Sequence, residues 1–215
     1  NDVVGISRTG SGKTHAYLIP VMDKVDPADD HIQAVITAAT RELAMQIYEQ
    51  AKSMLQFKKN LRIGLYAGGT DRNKEIRRLQ RIQPHIVIGT PGKIRDLFLD
   101  EGILRLEQAQ MLIIDEADMT LEYGFLDTID AFAGRMKDSL QMICFSATIP
   151  DQLKPFLKRY MHQPKVICIE DSGDEKAQIK HILIPCYHHP YAQTILQILP
   201  GFQPYVCLIF ANSRQ

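Results

Sequence analysis

A glycine-rich stretch near the start of the sequence, residues 7–14 (SRTGSGKT), has the residue types and spacing that bind phosphate groups. It follows a short apolar run and precedes a helical pattern, so it lies at a strand-to-helix turn. Backbone N–H groups converge on phosphate oxygens at such a turn, and Gly10 and Gly12 allow a close approach. Lys13 offers a charge for the β- and γ-phosphates, and Thr14 a hydroxyl for Mg²⁺. The alternative is a surface turn that happens to carry a lysine.

Two acidic residues, Asp115 and Glu116, directly follow the apolar run at 111–114. In nucleoside triphosphatases an Asp at such a strand end holds the Mg²⁺ that neutralises charge on the transferred phosphoryl group. Glu116 is then the candidate for the base that positions and activates the attacking water. The alternative is an acidic pair that caps a helix. That alternative is less favoured in a chain that already carries the phosphate loop.

The elements that must position these residues are short apolar runs that alternate with helical patterns. Strands are predicted at residues 2–6, 34–37, 62–66, 85–88, 111–114, 141–145 and 165–169. Strands that alternate with helices through short loops imply an α/β fold, with a mostly parallel sheet covered by helices on both faces. Ligands of such sheets collect at the carboxyl ends of the strands. The polar clusters of this sequence lie at those ends.

Composition narrows the class of protein. The 215 residues are 45% hydrophobic and 23% charged, which is typical of a globular protein. Lys+Arg and Asp+Glu both total 25, so the formal net charge is zero. A polyanion such as a nucleic acid would therefore have to bind a local basic patch. No apolar run approaches the length of about 20 residues that a membrane span needs. The four cysteines form no CxxC pair, which argues against a zinc site or disulfides and favours buried thiols in a cytoplasmic protein.

An acidic segment at 170–175 suggests a division of the chain. We predict a first domain at 1–170, a linker at 171–178 and the beginning of a second α/β domain at 179–215. That last part reads as a strand at 179–185, a helix at 192–199 and a strand at 205–210. One βαβ unit is too small to fold alone. We therefore expect the chain to be a fragment that stops inside its second domain.

Six motifs occur in the order and rough spacing of the DEAD-box RNA helicases. They are residues 7–14, 39–44 (ATRELA), 68–69 (GG), 90–93 (TPGK), 115–118 (DEAD) and 146–148 (SAT). Residues 207–213 (CLIFANS) resemble the first motif of that family's second RecA-like domain. The resemblance covers essentially the whole chain, and the sequence is most similar to those of bacterial members.

The resemblance implies a RecA-like P-loop domain that binds ATP and Mg²⁺. The residues implied to contact ATP are Ser7, Arg8, Thr9, Gly10, Ser11, Gly12, Lys13 and Thr14. Thr14 and Asp115 would hold the metal, partly through water. Lys13, Asp115 and Glu116 would be the catalytic residues, with Glu116 on the hydrolytic water.

The resemblance also implies an RNA site that contacts the backbone rather than the bases. Its residues would be Thr40, Arg41, Gly68, Gly69, Thr90, Gly92 and Lys93. Hydroxyls, glycine amides and cations suit contacts to sugar and phosphate. Asp118, Ser146 and Thr148 would form the hydrogen-bonded link that couples the ATP state to the RNA state. The alternative for the two hydroxyls is simple helix capping.

The implied activity is that of an RNA-stimulated ATPase that separates short RNA duplexes. The alternatives are an ATP-gated RNA clamp with little unwinding and another P-loop nucleotidase. Arg8, Ala39 and Lys93 stand where the family usually has Gln, Pro and Arg, and Ser7 stands where a phosphate-binding loop usually has Gly. The family's adenine-recognition element and the later motifs of its second domain, including the arginines that complete the ATP site, are not found in this sequence. We therefore expect little activity from the 215 residues alone.

Overall fold

Seven parallel strands form one sheet. They are β1 (Val3–Ile6), β2 (Ala34–Thr37), β3 (Ile63–Tyr66), β4 (Ile86–Gly89), β5 (Met111–Ile114), β6 (Gln141–Ser146) and β7 (Lys165–Cys168). In space their order is β3-β4-β2-β5-β6-β1-β7, and every neighbouring pair is parallel. The computed structural model describes residues 1–8, 10–169, 182–186 and 190–210. The parallel sheet predicted from the sequence is confirmed.

Helices cover both faces of this sheet. They are α1 (Lys13–Lys24), α2 (Arg41–Met54), α3 (Arg72–Arg81), α4 (Pro91–Arg95), α5 (Ala117–Glu122), α6 (Leu126–Ala133) and α7 (Lys154–Tyr160). A π-helical turn, Asp96–Asp100, extends α4, and 3₁₀ turns at Leu55–Phe57 and Asp151–Leu153 adjoin α2 and α7. Helices α5 and α6 were not predicted from the sequence.

Alternate residues of the central strands face two separate cores, because side chains of a strand point to opposite faces. One core packs Ile36, Ile88 and Ile113 against α1 and α2. The other packs Val35, Val87 and Leu112 against the remaining helices of the sheet. The central strands β2, β4 and β5 are therefore buried on both faces, as their continuous apolar runs predicted.

The helix starts follow their capping residues. The Thr40 hydroxyl accepts a hydrogen bond from the Leu43 amide and begins α2. The Asp71 carboxylate accepts from the amides of Asn73 and Lys74 and begins α3. Each cap stands shortly after a strand end, so the chain turns back at the carboxyl edge of the sheet.

Strand order divides this carboxyl edge into two halves. The segments that follow β3, β4 and β2 lie side by side in one half. The segments that follow β5, β6 and β1 lie side by side in the other. The two halves meet between β2 and β5, which pair in register from Ala34 with Met111 to Thr37 with Ile114.

The chain divides into two compact units, residues 1–170 and 171–215. In the second unit, helix α8 (Tyr191–Phe202) confirms the predicted helix. The strand predicted at 205–210 is wrong, since these residues form no strand and most of their side chains are exposed. A strand needs a neighbour for its backbone hydrogen bonds, and the described residues of this unit supply none. The predicted linker at 171–178 lies outside the described residues, as do residues 179–181, and the described rest of the strand predicted at 179–185 forms no strand.

The sequence led to expectations about the burial of the cysteines and about membrane spans. Cys144 is buried as predicted, but Cys168 and Cys207 are exposed and Cys186 is half-buried. Cys168 lies in β7 at the edge of the sheet, where β1 is the one neighbouring strand among the described residues. Among the described residues, no helix has the length and apolar character needed to cross a membrane.

Candidate functional site

The loop between β1 and α1 has the backbone that the sequence predicted. Gly10 and Gly12 have φ of 85° and 87°, a region that L side chains disfavour. The Ser7 amide donates to the Ser146 carbonyl at 3.1 Å, and the hydroxyls of Ser7 and Ser11 lie 2.8 Å apart. These bonds fix the loop just before the first turn of α1, whose backbone amides lack helical partners. Thr9 lies outside the described residues.

Lys13 places its charge inside the loop. Its Nζ donates to the Ser7 carbonyl oxygen at 2.9 Å. A cavity of about 290 Å³ adjoins the loop, and Lys13 and Thr14 line it together with Asp115 and Glu116. The structure therefore brings Gly10, Gly12, Lys13 and Thr14 of the predicted loop to one cavity with Asp115 and Glu116, although they come from two distant parts of the sequence.

Asp115 is buried and oriented by two hydrogen bonds. Its Oδ2 accepts from the Tyr17 hydroxyl at 2.8 Å, and its Oδ1 accepts from the Glu116 amide at 3.0 Å. Burial raises the pKa of Asp115, and these hydrogen bonds oppose that rise. Burial, followed by the charge of Asp115, raises the pKa of Tyr17, so its hydroxyl stays a donor. The Asp115 carboxylate is thus held in a fixed orientation.

Sequence reasoning missed Tyr17. In the sequence it reads only as one of the residues of a helical pattern. The available signal was its spacing, because a residue three or four positions after Thr14 and Lys13 lies on the same side of the helix. Gln50 of α2 was missed too. Its Oε1 is buried without a hydrogen-bond partner among the described residues, and the side chain lines the same cavity.

Glu116 has an unusual backbone. Its φ of 49° and ψ of 57° place a side-chain-bearing residue in the left-handed region. Such conformations cost on the order of 1–3 kcal/mol and cluster at functional sites. Its Oε2 is buried and has no hydrogen-bond partner among the described residues. Burial, followed by the nearby charge of Asp115, raises the pKa of Glu116, which makes it a stronger base than an exposed carboxylate.

The donor set suits Mg²⁺. The Thr14 hydroxyl and the Asp115 carboxylate line one cavity and offer the hard oxygen ligands that this ion prefers. The described residues contain no group of three or more His, Cys, Asp or Glu side chains that could hold a metal alone. That agrees with the usual Mg²⁺ site of one or two carboxylates completed by substrate phosphates and water.

The predicted coupling residues Ser146 and Thr148 both form hydrogen bonds with Asp118. Asp118 Oδ2 accepts from the Thr148 amide at 3.1 Å, the Thr148 hydroxyl at 3.2 Å and the Ala147 amide at 3.2 Å. The Ser146 hydroxyl accepts from the Asp118 amide at 3.1 Å. Burial alone would raise the pKa of Asp118, but hydrogen bonds with Ser146, Met119 and Thr148 lower it.

Arg41 and Gly69 lie against each other at the other half of the edge. A Cβ atom added to Gly69 would come within 2.0 Å of Arg41 Nη1, and Gly69 has φ of 87°. A Cβ added to Gly68 or Gly92 would meet no atom within 4 Å. The fold thus needs glycine at 69, whereas the backbone at 68 and 92 is open to a ligand. Thr40 accepts the capping hydrogen bond and keeps its own hydroxyl hydrogen for another partner.

Lys93, which the resemblance assigns to RNA binding, is largely buried in the structure. Its side chain is only 13% exposed, and its Nζ lies 2.9 Å from Glu75 Oε2 and 3.5 Å from Asp96 Oδ2. Two carboxylates therefore neutralise its charge. Thr90 precedes α4, and its amide donates to the Tyr66 carbonyl at 3.0 Å. The assignment of Lys93 to RNA binding stays a prediction, with its ammonium already paired inside the protein.

The candidate residues separate by function along the sheet edge. Those assigned to ATP and to coupling follow β1, β5 and β6, and those assigned to RNA follow β2, β3 and β4. Thr37, the last residue of β2, joins the two halves. Its hydroxyl donates to the Ile113 carbonyl at 3.3 Å, and its carbonyl accepts from the Asp115 amide at 3.0 Å.

Comparisons with known proteins agree with this geometry. The family model described as DEAD/DEAH box helicase matches residues 1–156. A DEAD-box ATP-dependent RNA helicase, CshB of Bacillus subtilis, is 48% identical over 99% of this chain and 48% of its own length. CshB of Listeria monocytogenes is 40% identical, with 99% of this chain and 48% of its own length covered. The chain therefore spans about half the length of the curated relatives it matches.

Solved structures share the fold. The crystal structure of a DEAD box protein from the hyperthermophile Methanococcus jannaschii matches with a TM-score of 0.73 and 34% identity. That match covers 79% of this chain and 45% of the other. The dbp5 protein of S. cerevisiae, solved with nup159, gle1, ip6 and adp, matches with a TM-score of 0.69 and 26% identity over 78% of this chain and 43% of the other.

Proposed function

Because the chain belongs to the DEAD/DEAH box helicase family, we propose that it forms the nucleotide-binding and RNA-binding core of an ATP-dependent RNA helicase. Residues 1–170 would be the first RecA-like domain and residues 179–215 the beginning of a second. The observation that supports this proposal most is the single cavity lined by Lys13, Thr14, Asp115 and Glu116. It combines a phosphate-binding cation with a metal-binding carboxylate and a base.

Hydrolysis of ATP would proceed as follows. Lys13 and the loop amides bind the phosphates, and Glu116 accepts a proton from the attacking water. The water oxygen bonds to the γ-phosphorus while the bond from that phosphorus to the β–γ bridging oxygen breaks, which leaves ADP and phosphate. Mg²⁺, bound through Thr14 and Asp115 partly by water, would neutralise phosphate charge.

RNA would bind at the other half of the sheet edge. Thr40 and Arg41 offer a hydroxyl and a cation, and Gly68 and Gly92 offer backbone that no side chain shields. Such groups contact phosphate and sugar, so the site would read RNA without preference for sequence. The whole protein would couple this binding to ATP hydrolysis and to local separation of an RNA duplex.

The direct test is an ATPase assay of the whole protein with and without RNA, run beside a strand-separation assay. A helicase accelerates phosphate release when RNA is added and separates a short duplex only with ATP. A protein that retains RNA with a non-hydrolysable ATP analogue but separates no duplex would be a clamp. Hydrolysis that ignores RNA would refute the proposal and favour another nucleotidase.

Arg41 and Lys93 are expected to differ in their effect on RNA binding. Arg41→Ala should weaken binding of single-stranded RNA of every sequence by about tenfold, because one charge-assisted phosphate contact is lost. The slope of log affinity against log salt should fall by about 0.7. Lys93→Ala should change both less, since Glu75 and Asp96 already neutralise Lys93. Fluorescence anisotropy across a salt series measures both quantities.

Arg105→Ala is the matched control, because Arg105 is exposed and lies before β5, at the opposite edge of the sheet. It should leave both the affinity and the salt slope unchanged. A loss confined to particular RNA sequences would contradict backbone contacts at Arg41. A salt slope that falls equally in Lys93→Ala would contradict the neutralisation of that residue.

Asp118→Asn is expected to uncouple RNA from hydrolysis. The variant weakens the hydrogen bonds that Asp118 Oδ2 accepts from Ala147 and Thr148. Stimulation of turnover by RNA should fall by about fivefold or more, in the range of typical coupling energies, while ATP affinity stays near that of the natural protein. Turnover at saturating ATP, with and without RNA, measures this.

Asp127→Asn makes the same chemical change at an exposed position of α6 and serves as the control. It should leave stimulation by RNA intact. Normal stimulation in Asp118→Asn would remove Asp118 from the coupling role, and a loss of ATP affinity equal to the loss of stimulation would assign it to nucleotide binding instead.

A further inference from the structure

Tyr17 connects helix α1 to the end of β5. Its side chain is buried, with 1% of the residue exposed, and its ring packs against Phe145 with centroids 5.5 Å apart. Its hydroxyl donates to Asp115 Oδ2 at 2.8 Å. A phenol and a carboxylate that are 98 positions apart in sequence thus form a buried hydrogen bond beside the phosphate loop.

We propose that Tyr17 is a positioning residue for the metal-nucleotide site, which fixes the Asp115 carboxylate in the orientation that receives Mg²⁺ and its water. The inference rests on the proposed function and adds to it a residue that acts through the Asp115 carboxylate. Carboxylates that hold metals are oriented by such outer partners, whose loss typically lowers metal affinity or activity about 10–100-fold.

The geometry of Asp115 leaves room for this role. Each carboxylate oxygen accepts one hydrogen bond, Oδ1 from the Glu116 amide and Oδ2 from Tyr17. A carboxylate offers about four lone-pair sites, so roughly one remains on each oxygen for metal-bound water. Rotation of the carboxylate about its Cβ–Cγ bond would break both hydrogen bonds. Without the Tyr17 hydroxyl, the Glu116 amide would still bind Oδ1, but Oδ2 would have no buried hydrogen-bond donor.

Tyr17→Phe separates this role from simple packing. Phenylalanine keeps the ring that contacts Phe145 and removes only the hydroxyl. In the whole protein, ADP affinity is measured by titration with excess Mg²⁺ and again with a chelator. The factor by which Mg²⁺ increases ADP affinity should be about tenfold smaller, or less still, in the variant than in the natural protein. Its affinity for ADP in chelator should match that of the natural protein, because the loop and Lys13 are unchanged.

Tyr160→Phe is the matched control. The Tyr160 hydroxyl donates to Asp130 Oδ1 at 2.7 Å, so this variant removes the same type of hydrogen bond. Tyr160 packs with the core on the opposite face of the sheet from Tyr17. It should leave the Mg²⁺ dependence intact. In an Asp115→Asn background, Tyr17→Phe should add no further loss, because Tyr17 acts through that carboxylate.

The outcomes distinguish this inference from the function on which it rests. If the natural protein shows no gain in ADP affinity with Mg²⁺, the proposed metal site is wrong and the inference falls with it. If the natural protein shows the gain and Tyr17→Phe keeps it, only the inference is overturned. A lower melting temperature in Tyr17→Phe with an unchanged Mg²⁺ gain would assign Tyr17 to stability alone.

Discussion

Glu116→Gln is expected to lower kcat for ATP hydrolysis by about 10²–10⁴-fold, the usual contribution of a general base. Glutamine has the same size and the same backbone requirement, but its amide cannot accept a proton from water. The affinity for ATP with Mg²⁺ should therefore stay unchanged, since the phosphate loop and Asp115 remain in place. Single-turnover hydrolysis and an equilibrium titration with a fluorescent ATP analogue, both on the whole protein, separate the two effects.

Glu122→Gln provides the control for this result. It makes the same chemical change six positions later, at the exposed end of α5. Its turnover should equal that of the natural protein. Near-normal turnover in Glu116→Gln would mean that another group activates the water, and the buried Glu116 Oε2 would then need a different explanation.

Lys13→Ala is expected to act on binding rather than on proton transfer. Loss of a charge-assisted contact to phosphate should weaken ATP and ADP binding by about 10–100-fold, and turnover should fall with it. Adenosine carries no phosphate, so any affinity for it should not change. The variant also removes the hydrogen bond from Lys13 Nζ to the Ser7 carbonyl, so a melting curve belongs beside the titrations.

Lys24→Ala is the control within the same helix. Lys24 lies in the last turn of α1, and its Nζ donates to Gln141 Oε1 at 2.8 Å on the surface. Removal of that charge should leave ATP affinity unchanged. If Lys13→Ala bound ATP as tightly as the natural protein does, the loop would not be the phosphate site.

The sheet and the phosphate loop were predictable because their signals are local. A run such as 111–114 (MLII) is apolar at every position, as strands buried on both faces are. Gly10 and Gly12 have left-handed dihedrals, and glycine is the residue type that adopts such dihedrals without strain. Strand ends in parallel sheets then place Asp115 and Lys13 at one edge, and the structure confirms that placement.

Other features depend on contacts between distant residues. The hydrogen bond from Tyr17 to Asp115 and the ion pair of Lys93 with Glu75 join residues whose pairing no local pattern shows. The segment at 205–210 illustrates the converse error. Its apolar pattern fits a strand, but the described residues offer no partner strand, so the pattern alone does not determine the structure.

The left-handed backbone of Glu116 lowers the stability of the fold at a position that turnover requires. A domain of this kind is stable by only about 5–15 kcal/mol, and a strained residue takes on the order of 1–3 kcal/mol of that. Glycine or asparagine would fit these dihedrals better, yet neither can accept a proton from water. Selection for stability alone would therefore favour substitution of Glu116, and selection for ATP hydrolysis would retain it.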